Sequence, residues 1–229
     1  MPVPDAALAS AFVFSGVPHE LLWPLVNASN LVEYRDDAVI FSRGAEAKYV
    51  YLVLSGLVRI STMSDSGKKI TVEIFKAVEL FGELGVIDDK PRSADAIAMG
   101  PTRVAVLPGA LFRTLMQDSP VFTVNLLRIV TRRLRRTYSL FEDASLSDLE
   151  HRLARQVLYL VGLGAVGERR VRLFSRMNQS DLADLLGTTQ RSIITILNKW
   201  RSDGLAEFDG KTSQLTILEL ERFKAMLEI

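Results

Sequence analysis

Leu80-Phe-Gly-Glu-Leu-Gly-Val-Ile-Asp-Asp-Lys-Pro-Arg-Ser-Ala-Asp95 concentrates two chemistries in one loop. Gly82 lacks a Cβ, so the backbone can approach a ligand closely there. The amides of Gly82, Glu83 and Leu84 are placed to open a short helix and point at an anion. Arg92 offers a planar fork of donors that matches a phosphate, and the Ser93 hydroxyl adds another bond. Glu83 can only accept when ionised, so it suits sugar hydroxyls. The loop therefore pairs an acceptor for a ribose with donors for a phosphate.

The sequence around this loop alternates with period two. Val50, Leu52 and Leu54 alternate with Tyr49, Tyr51 and Val53, and Ile70, Val72 and Ile74 with Thr71, Glu73 and Phe75. Arg43-Gly44, Ser55-Gly56, Asp65-Ser-Gly67, Gly100-Pro101 and Pro108-Gly109 supply turn signals between the runs. Short strands at this spacing from about residue 31 to 107 predict an antiparallel barrel or jelly roll, with the ligand loop opening into it. Upstream, residues from about 5 to 29 read as short helices. Leu21, Leu22 and Leu25 form a partial stripe that Pro24 is expected to interrupt.

Downstream, residues 119–144 predict one long helix, with Pro120 in its first turn. Leu127, Val130, Leu134, Thr137 and Phe141 step by three and four, which is the seam of a paired helix. Thr137 is polar on that seam, where it fixes register or meets a polar ligand. Arg128, Arg132, Arg133, Arg135 and Arg136 share the helix and read as a solvated outer face. Asp143-Ala-Ser-Leu-Ser-Asp148 is expected to break the helix and act as a hinge. Ser147 and Glu150 have capping-box spacing for a new helix through Leu149, Leu153, Val157 and Val161 to Gly162 and Gly164.

After a strand-like Arg170-Val-Arg-Leu-Phe174, Asn178 is a good N-cap with Asp181 three residues on. Leu182, Leu185 and Leu186 form one buried face, and Gly187 suits the left-handed turn that ends the helix. Thr188 or Thr189 then caps a second helix with Ile193, Ile196, Leu197 and Trp200 inward. Gln190, Arg191, Ser192, Thr195, Asn198 and Lys199 are left outward. This is a helix-turn-helix whose second helix presents side chains to base edges. Asp209-Gly210 turns a hairpin between Ala206-Glu-Phe208 and Gln214-Leu-Thr-Ile217, a wing.

The 229 residues carry a formal net charge of +1, with 48% hydrophobic and 24% charged residues, so any basic patch must be local. No cysteine is present, which excludes disulfides, Cys-ligated clusters and thiol switches. His19 and His151 are too few and too far apart for a metal or haem site. No nucleophile–base pair or P-loop is visible, so an enzyme is not expected. No apolar run is long enough for a membrane span, and the start lacks the basic region of a signal peptide; the expected location is cytoplasmic.

Gly-Glu and Arg-Ser-Ala separated by eight residues resemble the phosphate-binding cassette of cyclic-nucleotide-binding domains. With the seam helix and winged helix-turn-helix in the same order, nearly the whole chain resembles the CRP/FNR family of bacterial transcription factors. The resemblance implies an α+β architecture: an antiparallel β-roll (jelly-roll) cyclic-nucleotide-binding domain over 1–118, a dimerisation helix over 119–144, and a winged helix-turn-helix domain over 145–229. It implies that Gly82, Glu83, Leu84, Arg92 and Ser93 hold ribose and cyclic phosphate, and that Thr137 and Tyr138 meet the base. Tyr138 replaces a small hydroxyl residue usual there, and Val78-Glu79 replaces a Gly-acidic pair. It implies a dimer seam of Leu127, Val130, Leu134 and Phe141. Base reading falls on Gln190, Arg191 and Thr195, with Ser192 beside them; Thr188, Thr189 and Lys199 are candidates for phosphate. The function implied is a homodimeric regulator of double-stranded DNA at a pseudo-palindrome, with cAMP as allosteric ligand and RNA polymerase as a further partner. No metal or classical cofactor is implied. The alternatives are cGMP, another effector or none, and a cyclic-nucleotide-sensing module that acts on a protein partner.

Overall fold

The computed structural model describes residues 8, 10–63, 69–162, 170–173 and 177–227. The expected Asp65–Gly67 turn, Gly164 and Phe174 lie outside them. The chain divides into two compact units, Met1–Thr62 with Val72–Arg136, and Met63–Thr71 with Thr137–Ile229.

The first unit is built on an antiparallel sheet. β1 (Asn30–Tyr34), β2 (Val39–Phe41), β3 (Tyr49–Met63), β4 (Lys69–Phe75), β5 (Leu80–Phe81) and β6 (Asp95–Pro108) run in the order β1-β6-β3-β4, with β2 on β6 and β5 on β3. β6 pairs with β1 from Asn30↔Val106 to Tyr34↔Thr102 and with β3 from Tyr49↔Pro108 to Ser61↔Asp95. The period-two pattern of β3 is what divides the core. Tyr51 and Val53 point to one side, with Val58, Phe75, Phe81, Ala96 and Val104. Val50 and Leu52 point to the other, where they meet helices. Phe81 stacks on Tyr51, Phe75 and Phe41 with centroids 5.1–6.1 Å apart, each pair contributing about 0.5–1.5 kcal/mol beyond its burial.

The helices of this unit are α1 (His19–Asn27), α2 (Leu84–Ile87), α3 (Gly109–Asp118) and the start of α4 (Pro120–Leu146), after a 3-10 turn at Phe12–Phe14. Pro24 lies inside α1 and does not interrupt it. It is exposed, and only the Glu20 carbonyl of the preceding turn loses an intrahelical donor. Pro108-Gly109 is not a turn but the entry to α3. The Gly109 amide donates to the Lys48 carbonyl at 2.8 Å, and a Cβ there would meet that same oxygen at 2.8 Å.

α4 continues through Asp143–Leu146, so the break falls at Ser147-Asp148. The cap of α5 (Leu149–Gly162) is Asp148, whose Oδ1 accepts from the His151 amide at 2.9 Å. Ser147 does not form the expected capping box; its Oγ faces Arg155. Arg155 also reaches Asp143, tying α5 to the last turns of α4.

The second unit continues with β7 (Val171–Arg172), α6 (Gln179–Leu186), α7 (Gln190–Ser202), β8 (Ala206–Asp209), β9 (Gln214–Ile217) and α8 (Leu220–Ala225). Its sheet order is β7-β9-β8, all antiparallel. Leu153, Val157, Leu182, Ile193, Trp200 and Phe223 are fully buried, and Trp200 meets Phe223 edge-on at 4.9 Å. No described helix is long and apolar enough to cross a membrane.

Candidate functional site

The loop after β5 is shaped by its glycine and then by its arginine. Gly82 has φ +74°, and a Cβ there would lie 3.0 Å from Arg92 and 3.1 Å from both Phe41 and Tyr51. A side chain is thus excluded by backbone angle and by space. Glu83 precedes the single helical turn α2, and the Val86 and Ile87 amides bond back to its carbonyl. Leu84 is exposed on that turn. Upstream, Val78 holds φ +64°, a left-handed conformation that is costly for a β-branched residue. Its amide donates to the Val53 carbonyl at 2.8 Å, and the Val53 amide donates to the Glu79 carbonyl at 3.0 Å, which fixes the turn without glycine.

Arg92 is only 5% exposed. Its backbone exchanges bonds with the loop before β3: its amide donates to Ala45 and its carbonyl accepts from Gly44, both at 2.9 Å. Its guanidinium donates to the carbonyls of Gly82 at 2.5 Å and Tyr49 at 2.6 Å, and stacks 4.2 Å over Phe41. Burial pulls its pKa below the ordinary value. Its Nε is buried and has no hydrogen-bond partner among the described residues. A buried cation held by neutral carbonyls, with a donor unsatisfied, is chemically suited to an anion. Ser93, next in the chain, is exposed.

Glu83 is 4% exposed, and its Oε1 accepts from Arg133 at 2.7 Å. Arg133 also donates to the Leu80 carbonyl and lies 4.5 Å over Phe75. One turn on, Arg136 Nε stands 3.3 Å from Glu73 on β4. These contacts correct the reading of the helix arginines as a solvated face: Arg133 and Arg136 dock on the roll, while Arg128, Arg132 and Arg135 stay exposed. Arg132 lies over Phe12 at 5.1 Å. Sequence reasoning missed Arg133, Arg136 and Glu73. The available signal was spacing, since Arg133 lies one helical turn before Thr137 and so shares its face.

Leu127, Leu134 and Phe141 are large apolar residues left 59%, 48% and 72% exposed on α4, and Val130 is half-buried. Together they form an apolar stripe open to solvent along one helix. Thr137 and Tyr138 are exposed on the same helix.

At α6 and α7 the caps form as expected. Asn178 and Asp181 exchange bonds of 2.9 Å in a capping box, and Gly187 turns out of α6 with φ +59°. The Thr189 hydroxyl accepts from the Ser192 amide at 3.2 Å and meets the Ser192 hydroxyl at 2.9 Å. Thr188 is half-buried and its amide closes the turn on Ala183. Gln190, Arg191 and Thr195 are exposed along the outer face of α7, with the Thr195 hydroxyl bonded back to the Arg191 carbonyl. Lys199 differs from a poised phosphate contact: its ammonium pairs with Glu150 at 2.6 Å, and Glu150 also accepts from Trp200 Nε1 at 3.0 Å. Among the described residues no group of His, Cys, Asp and Glu could hold a metal ion.

Comparison with known proteins matches each half of this geometry. The cyclic nucleotide-binding domain profile matches residues 31–119, and that of the Crp-like helix-turn-helix domain matches residues 151–226. A CRP-like cAMP-activated global transcriptional regulator of Mycobacterium tuberculosis is 27% identical over 209 residues, covering 91% of this chain and 93% of that protein. A cyclic AMP receptor protein of Thermus thermophilus is 28% identical over 80% of this chain and 82% of its own. Among solved structures, FixK2 of Bradyrhizobium japonicum superposes with a TM-score of 0.77 at 21% identity, covering 86% of this chain and 96% of that one.

Proposed function

This chain belongs to the CRP/FNR family of transcription regulators, which are not enzymes, and from that premise we propose that it is a homodimer whose grip on DNA is switched by a cyclic nucleotide, cAMP first. The observation that carries the ligand half is Arg92, a buried cation with an unsatisfied Nε. A cyclic phosphate supplies that Nε with a charged acceptor, and Ser93 adds a neutral donor from the exposed side. The ribose 2′-hydroxyl then lies against Glu83, with the Gly82 and Leu84 backbone alongside. Binding there requires the Glu83–Arg133 pair to admit a third partner, which couples the pocket to α4. Thr137, one turn on from Arg133, and its neighbour Tyr138 are the positions assigned to the base. The names of the relatives, cAMP-activated regulator and cyclic AMP receptor protein, support adenine as the first base to test.

The dimer forms through the apolar residues of α4, Leu127, Val130, Leu134 and Phe141. Two copies of α7 then lie about 34 Å apart, one turn of DNA, on a pseudo-palindrome. Gln190, Arg191 and Thr195 read bases, while Thr188, Thr189 and Ser192 approach the backbone. Lys199 joins them only where phosphate outcompetes Glu150. Such a regulator works beside RNA polymerase in the cytoplasm. The ligand acts by binding the DNA-competent arrangement better than the other.

The test is a calorimetric titration with cAMP, followed by operator selection with and without it. Binding at micromolar or tighter supports the reading. Failure of cAMP to bind, with DNA binding intact, removes the ligand and leaves the regulator. DNA affinity should fall steeply with salt as counterions are released. A flat salt response points instead to a protein partner.

A further inference from the structure

Phe12 is a large aromatic residue left 45% exposed, and the nucleotide and DNA chemistry described above has no use for it. It stands in the 3-10 turn Phe12–Phe14, which is held against α4. Asn125 of α4, itself 5% exposed, donates from Nδ2 to the Ser15 carbonyl at 2.8 Å and to the Val13 carbonyl at 3.4 Å. Phe14 stacks on Phe122 with centroids 5.6 Å apart, and Arg132 lies over the Phe12 ring at 5.1 Å. A buried amide and a cation–π contact thus fix the turn to the helix and aim Phe12 along it.

Beside this turn lies an open, mainly apolar groove of about 440 Å³, lined by Phe12, Val124, Leu127, Arg128, Thr131 and Arg132. Val124, Leu127, Arg128 and Thr131 are residues i, i+3, i+4 and i+7 of one helix. Four residues at that spacing form the hole that receives a single knob from a facing helix. Phe122, Leu126 and Ile129 point the other way, into the core of the roll, so the hole opens outward. Val124, Leu127, Thr131 and Leu134, all exposed, step by three, four and three along the same side of α4. Thr131 is polar in the middle of that stripe, where a paired helix loses apolar contact. Phe12 supplies apolar surface at the same level.

We infer that a second copy of this chain fills the groove, with Leu127 of the partner subunit as the knob and Phe12 as part of the dimer interface. The inference rests on the reading of α4 as the dimer helix. In that dimer both reading units reach one DNA, so the two helices run parallel. A two-fold pair of parallel helices brings like residues to the same level. The side chain that meets a hole centred on Leu127 and Arg128 is therefore Leu127 of the partner subunit. Leu127 belongs both to the groove and to the exposed stripe, so one partner helix covers the two together.

Sedimentation equilibrium of the full chain without nucleotide measures the dimer constant, for the unaltered protein and for Phe12→Ser, Phe12→Leu and Leu134→Lys. Phe12→Ser should weaken dimerisation by about tenfold or more, since each dimer loses two apolar walls. Phe12→Leu keeps apolar surface and should stay within about threefold. Leu134→Lys breaks the stripe outside the groove and should weaken any dimer that uses α4. Loss with Leu134→Lys and none with Phe12→Ser would overturn the inference and leave the α4 dimer standing. A monomeric unaltered protein would remove both. Should Phe12→Ser fail to fold, hydroxyl-radical footprinting of the unaltered protein reads the same contact. Phe12 should lose reactivity together with Leu134 as concentration drives dimerisation, and a Phe12 that stays reactive would overturn the inference. Removal of residues 1–7 should leave the dimer constant within about threefold. A dimer strengthened by that removal would mean that this stretch occupies the groove in place of the partner, and would overturn the inference too.

Discussion

Glu83 and Arg133 are 50 residues apart in the chain and 2.7 Å apart in space. The carboxylate is almost wholly out of water, and its partner cation comes from the helix that also carries the apolar seam. The group that suits a ribose hydroxyl is thus already committed to α4. A ligand that bonds Glu83 would change what holds this helix to the roll, which is the physical content of the proposed switch.

Removing one member of that pair leaves a buried charge without its counter-ion. Arg133→Ala should destabilise the first unit by about 3 kcal/mol, the low end for a buried pair because the arginine keeps some exposure. Urea unfolding followed by tyrosine fluorescence would measure it. Glu83→Gln should cost less, since Gln still accepts from Arg133.

Arg92→Ala should lower nucleotide affinity at least tenfold, the loss of a charge-assisted contact of about 1.5–3 kcal/mol. Arg92→Lys should not restore it, because one ammonium cannot span the Gly82 and Tyr49 carbonyls and also serve a phosphate. Titration calorimetry reads both.

Val78→Gly should stabilise the protein. A β-branched residue at φ +64° carries about 1–3 kcal/mol of strain, and glycine returns part of the gain as unfolded-chain entropy. A net gain of about 1 kcal/mol would raise the melting temperature by roughly 2–4 °C. An unchanged or lower melting temperature would mean the strain is relieved elsewhere.

His151 and Asp148 give the second unit a pH response. The hydrogen bond to Asp148 raises the His151 pKa, so this pair stabilises fully below the ordinary histidine value of about 6.5 and fades as pH rises through the raised one. The Asp148 pKa is lowered, first by the His151 amide; its contribution holds above the ordinary aspartate value and is lost as pH falls through the depressed one. Both groups are largely exposed, so the effect on melting should be small. An NMR titration should place the His151 midpoint above the ordinary value, and Asp148→Asn should bring it back down.

Arg191→Ala should relax base preference at one operator position by about 1–3 kcal/mol. Uniform weakening across operator sequences would make Arg191 a phosphate contact. Binding selection on a randomised operator distinguishes the two.

What was legible in the chain was local. Asn178 with Asp181, Gly187 and Thr189 announce two helices and the turn between them, because caps are chosen by neighbours three residues away. Gly82 and Arg92 were legible because their chemistry is unusual for a loop. Arg133 and Arg136 were not, since a helical arginine looks solvated until its partner is known, and Glu83 comes from the loop after β5 and Glu73 from β4. Asp148 took the cap from Ser147 through competition that sequence does not rank: both are good caps, and Arg155 draws the serine away. The Pro24 helix survived because its missing bond faces solvent.

Glu150 receives Lys199 and Trp200 together, from the last turns of the helix that carries Gln190 and Arg191, and it stands in the first turn of α5. The reading head is therefore bolted to the segment just beyond the Ser147-Asp148 break. Any rotation imposed at that break would pass through this contact to Gln190, Arg191 and Thr195, the side chains proposed to read bases, as a steering column turns a wheel. Loosening this one bolt, as Glu150→Gln would by keeping the indole and freeing the ammonium, would trade fidelity of the proposed transmission for an extra free cation on α7.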